Sequence, residues 1–179
     1  TVILCNGKVT ILNPEKTQAS GVELIKLSEC SREEITTFAN SENSKDIFDA
    51  LNVLYLNEGL VIKVADKTIV KEPLTLIHLI TGEESVHHSR LLLSLGKNSQ
   101  LDVIQQFVSK GNLSYSHHIT ELQLADGAIL NWHKLQLGLG SNFLISRETG
   151  TQSANSRFTF HTHTVDSEFV RNEIGRAHV

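Results

Sequence analysis

A short pattern that recurs after 29 and then 28 residues constrains this chain more than any other feature of its sequence. In each copy two turn-forming residues precede one variable residue and one apolar residue, and the copies begin at Asn98, Gly127 and Asn155. A period of roughly 20–50 residues is typical of solenoids and propellers, because each unit must bury its apolar face against a neighbour. We therefore predict a stack of similar units in the second part of the chain.

The apolar residues of that second part alternate with polar ones from about residue 60 onward, as at Leu101 and Val103 and at Leu122 and Leu124. Such alternation is typical of strands, and we expect ten or more short strands and no helix there. Repeats of paired helices do not fit this pattern, and propeller blades of roughly 40–45 residues are too long for the spacing. A parallel β-helix fits best, and an antiparallel sandwich is the alternative.

Before residue 60 the sequence predicts a small α/β segment. Val2–Leu4 and Val9–Leu12 flank an Asn-Gly pair, which is typical of a tight hairpin turn, and Val22–Leu27 is a further candidate strand. Ser31-Arg32-Glu33-Glu34 has the spacing of a capping box at the start of a helix, and a second helix is expected after Ser44. We divide the chain into this lead-in segment, residues 1–59, and a β-helix domain, residues 60–179.

The composition argues against several classes of function. Sixteen Lys and Arg stand against twenty Asp and Glu, a formal charge of −4, so no overall positive field attracts nucleic acid or an anionic membrane. The apolar runs are far shorter than the roughly 20 residues of a membrane-spanning helix. The serine-nucleophile and glycine-rich nucleotide-binding motifs are absent from the sequence. The chain also contains no methionine, so we expect an internal piece of a longer protein.

One histidine motif offers a metal-dependent alternative. His161 and His163 lie in an alternating run, so both imidazoles would point to one face of a strand, and Glu168 follows them. Two imidazoles and a carboxylate can hold a divalent metal, and the spacing of these residues and Gly175 resembles the first motif of the cupin family. Against this hypothesis, Asn155 stands where that family has a glycine, and too few residues follow for its second motif. The alternative interpretation is an ordinary polar strand.

The remaining histidines do not indicate a site. His87-His88 and His117-His118 are adjacent pairs whose members would point to opposite faces of a strand, so we expect them in loops or on the surface. His133 follows Trp132, and one of these two side chains is expected inside and the other outside. We therefore predict no catalytic, cofactor-binding or metal-ligating residues.

A third alternative is a β-helix that binds carbohydrate. Its support is small, because only Trp132, Tyr55 and Tyr115 offer flat surfaces on which a sugar ring could stack. No pair of acidic residues has a spacing that suggests sugar hydrolysis.

Several stretches resemble the SufB/SufD family of iron–sulfur cluster assembly proteins, and their order and spacing match that family over nearly the whole chain. In that family a short helix that ends in Ala-Leu-Asn leads into a first β-helix strand with the pattern Gly, apolar, apolar, basic, Val. The matching stretches are Phe48–Asn52, Asn57–Val64, Glu72–Leu76, Ser89–Gly96, Ile119–Leu122, His133–Gln136 and Phe169–Ile174. The chain is more similar to SufD than to SufB, because its first part, with Cys5 and Cys30, lacks the cysteine-rich character of SufB.

The resemblance implies a right-handed parallel β-helix that lacks its last coils, and a scaffold role without enzymatic activity. It implies pairing with SufB-like and SufC-like subunits, the latter supplying the ATPase, and an iron–sulfur cluster held only transiently in the assembled complex. It further implies a location in the cytoplasm, or in plastids of a photosynthetic eukaryote. The functional histidine of SufD belongs to the missing coils and is not transferred to His161, His163 or His178. An exposed end coil would also favour self-association.

Overall fold

The computed structural model describes residues 1–12, 14–32 and 47–178. The helix predicted from Ser31 falls, from residue 33 onward, outside these ranges, as does the predicted start of the second helix near Ser44. The elements are β1 Val2–Cys5, β2 Lys8–Ile11, α1 Pro14–Ala19, β3 Val22–Lys26, a 3-10 turn Leu27–Glu29, α2 Ile47–Leu54, β4 Glu58–Val64, β5 Leu74–Ile80, β6 Val86–Leu95, β7 Gln100–Ser109, β8 Tyr115–Leu124, β9 Ile129–Gln152 and β10 Arg157–His178.

The strands from β4 onward wind into a parallel β-solenoid of about four turns, which confirms the predicted fold class. One sheet, the first sheet, contains β1, β5, β7 and the first parts of β9 and β10. The second sheet contains β3, β4, β6, β8 and the later parts of β9 and β10. Each coil therefore contributes one strand to each sheet, and neighbouring coils pair in parallel.

The repeated sequence pattern corresponds to a column of tight turns between the second sheet and the first. The third residue of each turn has a positive φ of 53–68°, and these residues are Lys67, Asn98, Gly127 and Asn155. Left-handed backbone is least costly for Gly and Asn, which explains three of the four. Successive turns are hydrogen-bonded to each other, because the amide of Asn98 donates to Asp126 O at 2.9 Å and that of Gly127 to Ala154 O at 2.9 Å.

The lead-in strands extend both sheets at the N-terminal end. The predicted hairpin is confirmed, since β1 and β2 are antiparallel and the turn residues Asn6 and Gly7 have φ of 50° and 80°. β1 also pairs in parallel with β5, and β3, another predicted strand, pairs antiparallel with β4. The division of the chain at residue 59 stays a prediction. Helix α1 was not predicted.

The prediction of ten or more short strands after residue 60 was wrong in number. Within the described part, seven strands run from Glu58 onward, because β9 and β10 each continue through a corner of the solenoid as one strand, and their pairing only shifts in register between Val165 and Phe169. In β9 the chain bends at Gly138 and Gly140, whose φ values are 57° and 53°. Residues 138–142, which include both glycines, therefore form a bend inside one long strand. No helix in the described ranges has the length and apolar character needed to cross a membrane.

The alternating apolar residues point into the solenoid, as predicted. Leucines of successive coils lie above one another, for example Leu60 and Leu91 in the second sheet. Trp132 is fully buried and His133 is exposed, which confirms the prediction that one is inside and one outside. The main cluster combines the first and second sheets into one core.

We predict that Gly150→Ala destabilises the protein, because Gly150 occupies an inward position directly against the preceding coil. A Cβ atom there would lie 2.7 Å from Leu122 Cβ and 2.9 Å from Leu122 O. Overpacking of this kind costs about 1–3 kcal/mol, which urea denaturation would measure. Gly175→Ala is the matched control, since its Cβ would lie 3.5 Å from Thr149 Cγ2. Equal unfolding free energies for the two variants would contradict the close stacking of coils.

Candidate functional site

The interior of the solenoid changes from apolar to polar along its axis. In the first sheet the inward residue Leu76 is followed one coil later by Gln105 and then by Lys134. In the second sheet Leu91 is followed by Thr120 and then by Glu148. We call this region the polar interior, and it comprises His78, Gln105, His118, Thr120, Trp132, Lys134, Ser146 and Glu148. All of these side chains are buried.

Trp132 and Gln105 orient the two buried imidazoles. The indole Nε1 of Trp132 donates to Gln105 Oε1 at 3.1 Å. Gln105 Nε2 lies 3.0 Å from His78 Nε2 and 3.0 Å from His118 Nε2. Because an indole N–H can only donate, the amide orientation is determined, and the amide nitrogen donates to both imidazoles. Each ring then carries its hydrogen on Nδ1, and that of His118 donates to Ser89 Oγ at 2.9 Å.

Both imidazoles are uncharged at neutral pH. Burial lowers the pKa of His78 to about 3, and the positive charge of Lys134 contributes to the same direction. Burial likewise holds the pKa of His118 well below its ordinary value, assisted by His78, Lys134 and His117. Neutral rings are what the hydrogen bonds require, because a protonated imidazole has no lone pair to accept from Gln105.

A buried ion pair joins the two halves of β9, one in each sheet. Lys134 Nζ is 2.7 Å from Glu148 Oε1 and 2.9 Å from Ser146 Oγ, and the Lys134 and Glu148 side chains are 0% and 1% exposed. Ser146 Oγ also donates to Glu148 Oε1 at 2.6 Å. Burial lowers the pKa of Lys134, and the attraction of Glu148 opposes that shift. The Lys134 ammonium lies 5.2 Å from the centroid of the Phe160 ring, a cation–π distance.

Polar contacts continue into the last coil. Gln136 Nε2 donates to Asn172 Oδ1 at 2.9 Å, and Thr164 Oγ1 donates to Gln136 Oε1 at 2.6 Å. These bonds join β9 to both parts of β10. Since directional hydrogen bonds have one optimal geometry, they hold the coils in phase with each other.

The side chains of the polar interior hold one another in position and accept hydrogen bonds. Among the described residues, no group of three or more His, Cys, Asp or Glu side chains is arranged to hold a metal ion. The neutral imidazoles accept hydrogen bonds, and the lysine and glutamate compensate each other's charge. These features maintain a rigid body whose interior is polar.

The prediction that the histidine pairs lie in loops or on the surface was wrong for three of the four rings. His88, His117 and His118 are 3%, 1% and 1% exposed. The members do point to opposite faces, because His118 is in the polar interior and His117 is on the outer face of the second sheet. The outer rings are buried because α2 covers them, with Phe48 lying edge-on to His117 and Tyr55 stacked on His88.

Helix α2 presents its polar side to the solenoid. Asn52 Nδ2 donates to Ser89 O at 3.3 Å and to His117 O at 3.1 Å, and Asp49 forms an ion pair of 2.6 Å with Arg147. On its other side, Ile47 and Leu54 are 69% and 76% exposed. The helix is therefore attached by hydrogen bonds and an ion pair more than by apolar burial.

The cupin alternative finds no support in the geometry. His161 and His163 are exposed on the outer face of the first sheet, and the His161 ring stacks on His133 with centroids 5.2 Å apart. Glu168 is also exposed and lies beyond an irregularity in the pairing of β10 with β9. Because β10 is part of a parallel solenoid, these residues do not line the interior of a barrel.

The aromatic residues that the carbohydrate-binding alternative requires do not offer an open stacking surface. Trp132 has no exposed area and donates its indole hydrogen to Gln105. Tyr55 is exposed, but its ring stacks on His88 at the end of α2. An aromatic platform for a sugar ring is therefore not formed by these residues.

The comparison with protein families agrees with the geometry. Residues 78–177 match the model described as SUF system FeS cluster assembly, SufBD core domain. This span covers more than half of the 179 residues and includes every residue of the polar interior. The comparison with curated proteins finds no match for the chain.

We predict that the protein loses stability as the pH falls below about 6.5, the ordinary pKa of the imidazoles in the unfolded chain. The folded pKa values are lower, so unfolding takes up protons in acid and the stability present at neutral pH decreases. For His78, whose folded pKa is about 3, the loss between pH 6.5 and pH 5 is roughly 2 kcal/mol. Urea denaturation at several pH values would measure it.

The control for this pH dependence is an exposed histidine. His118→Asn should reduce the slope of stability against pH, whereas His163→Asn, on the outer face, should leave it unchanged. A slope that is the same in both variants would show that the buried rings are not the groups that titrate.

We predict that replacing one partner of the buried ion pair lowers the free energy of unfolding much more than replacing both partners. Lys134→Met leaves Glu148 charged and unpaired inside the solenoid, which costs about 3–5 kcal/mol, whereas Lys134→Met combined with Glu148→Leu recovers most of the loss. Thermal and urea denaturation would measure both. Lys97→Met is the control, because Lys97 and Asp126 form an exposed pair at 3.4 Å. A double variant as unstable as the single one would contradict the proposed charge compensation.

Proposed function

The chain belongs to the SufBD core-domain family of the SUF system for iron–sulfur cluster assembly, and we propose that it acts there as a SufD-like scaffold subunit. In this role it pairs with a SufB-like subunit and with a SufC-like ATPase. The observation that carries the proposal is the family match over residues 78–177, which coincides with the parallel coils and their polar interior.

The last strand supports pairing with another chain. β10 runs from Arg157 to His178, and within the described residues its strand partner is β9. Val165, Phe169 and Ile174 on this strand are between 44% and 58% exposed. An edge strand with exposed apolar side chains is a template for a further strand. The proposed SufB-like subunit would occupy this edge, and a second copy of the chain is the competing occupant.

The proposal assigns no enzymatic step to this chain. Hydrolysis of ATP belongs to the SufC-like subunit, and the iron–sulfur cluster is the cargo of the assembled complex, held only transiently. The rigid parallel coils support this assignment, because a solenoid provides a long and stable surface on which partner subunits assemble. The proposed location is the cytoplasm, or the plastid in a photosynthetic eukaryote.

We predict that the tagged chain co-purifies with SufB-like and SufC-like subunits of the same organism when the three are co-expressed, and that it does not pair with a SufD-like subunit in place of SufB. Ile174→Lys places a charge on the exposed edge strand and should reduce recovery of the SufB-like subunit about tenfold or more. Ile69→Lys is the control, because Ile69 is 66% exposed but lies in an early coil. Gel electrophoresis of the purified complexes would measure the recovery.

Two outcomes would contradict this function. Equal recovery with both variants would show that β10 is not the pairing edge, and binding to a SufD-like subunit would indicate a SufB-like role. Light scattering of the chain alone tests the competing occupant, since pairing between copies predicts a mass that rises with protein concentration. A monomer at all concentrations would exclude self-association through this edge.

A further inference from the structure

A small pocket lies inside the solenoid, near the turn between β1 and β2. Its volume is about 20 Å³, and strands β5, β6 and β8 contribute most of its lining. We call it the imidazole pocket, and its polar lining residues are Asn6, His78, His87, Ser89, Ser116 and His118. It adjoins the polar interior but contains groups that the hydrogen bonds described above do not use.

Ser116 is the first of these groups. Its side chain points inward on β8, the residue is 7% exposed, and its Oγ has no hydrogen-bond partner among the described residues. Buried hydroxyl groups almost always have a partner in the protein or an ordered water molecule. Because Ser116 lines the imidazole pocket, its partner is expected there.

Ser89 is the second group. Its Oγ accepts from His118 Nδ1 at 2.9 Å, because the tautomer of His118 is determined by Gln105. The hydroxyl hydrogen of Ser89 is therefore available to a further acceptor. Ser89 and Ser116 lie on neighbouring parallel strands and line the same pocket, so one bound molecule can contact both.

The charges around the pocket select an uncharged occupant. His78 and His118 are neutral, so a bound anion would have no compensating cation, and the nearby Lys134 is already paired with Glu148. A metal ion would need imidazole lone pairs, but Nε2 of His78 and of His118 already accepts from the amide of Gln105. His87 Nε2 lies 2.8 Å from Ser85 Oγ, with which it shares a hydrogen bond. An ion in this pocket would be desolvated without a partner.

We propose that the imidazole pocket binds one water molecule, which joins Ser116 to Ser89 and extends the network of His118, Gln105 and Trp132. A buried water needs roughly 10–15 Å³ and two to four polar partners. The volume of about 20 Å³ meets the first condition, and the hydroxyl groups of Ser116 and Ser89 meet the second. The site is a property of the interior and does not depend on which subunit pairs with β10.

A crystal structure of the whole chain, at a resolution that shows ordered water, tests the proposal directly. We expect one peak in the pocket within hydrogen-bond distance of Ser116 Oγ and Ser89 Oγ. Soaking the crystal in bromide distinguishes the occupants, because a halide gives an anomalous signal and water does not. An empty pocket, or an anomalous peak at this position, would overturn the proposal.

Filling the pocket provides a second test, because a bound water and an empty pocket predict opposite changes in Tm. Ser116→Val places additional methyl groups in the space that the water would occupy. If the water is bound, the variant should have a Tm lower by about 3 °C or more. An empty pocket predicts an increase, because the methyl groups would fill a void. Ser94→Val on the same sheet corrects for the higher strand propensity of valine. If Ser116→Val does not fold, the water peak in the crystal structure of the unchanged chain decides the question.

Discussion

Parallel hydrogen bonding between equivalent residues of successive coils is the constraint on which the rest of this structure depends. It places each inward side chain directly above the one from the preceding coil, so the interior is organised as columns that run along the axis. A leucine in one coil can be followed by glutamine and then lysine, as at Leu76, Gln105 and Lys134. The polarity of the interior can therefore change along the molecule while the backbone remains regular.

The turns, the hairpin and the inward apolar positions were predictable because each depends on local chemistry. Asn98, Gly127 and Asn155 adopt left-handed backbone, which costs Gly and Asn less than other residues, and the hairpin turn uses Asn6 and Gly7 for the same reason. The alternation of apolar residues also placed Leu101 and Leu130 inside correctly. These features depend on neighbours along the chain, which a single sequence displays.

The polar interior could not be predicted with the same arguments, because its members look like surface residues. Lys134 and Glu148 are buried only because the corner in β9 brings its two halves face to face, and His117 is buried only because α2 lies over it. A signal was nevertheless present. Aligning the repeats places Lys134 one period after Gln105 and two residues after the inward Trp132, which assigns it to the interior. The phase of a residue within its repeat thus carries more information than its polarity.

The way in which α2 is attached determines how freely it can move. A helix that packs on an apolar surface through dispersion contacts alone can shift along or rotate about its axis, because these contacts are nearly interchangeable. Here a single amide, that of Asn52, bridges carbonyl groups of two adjacent strands. A shift by one residue would rotate that amide by about 100° around the helix axis and break both bonds at once. The helix is therefore restricted to one position on the second sheet. That position depends on the spacing between the two coils to which Asn52 is bonded.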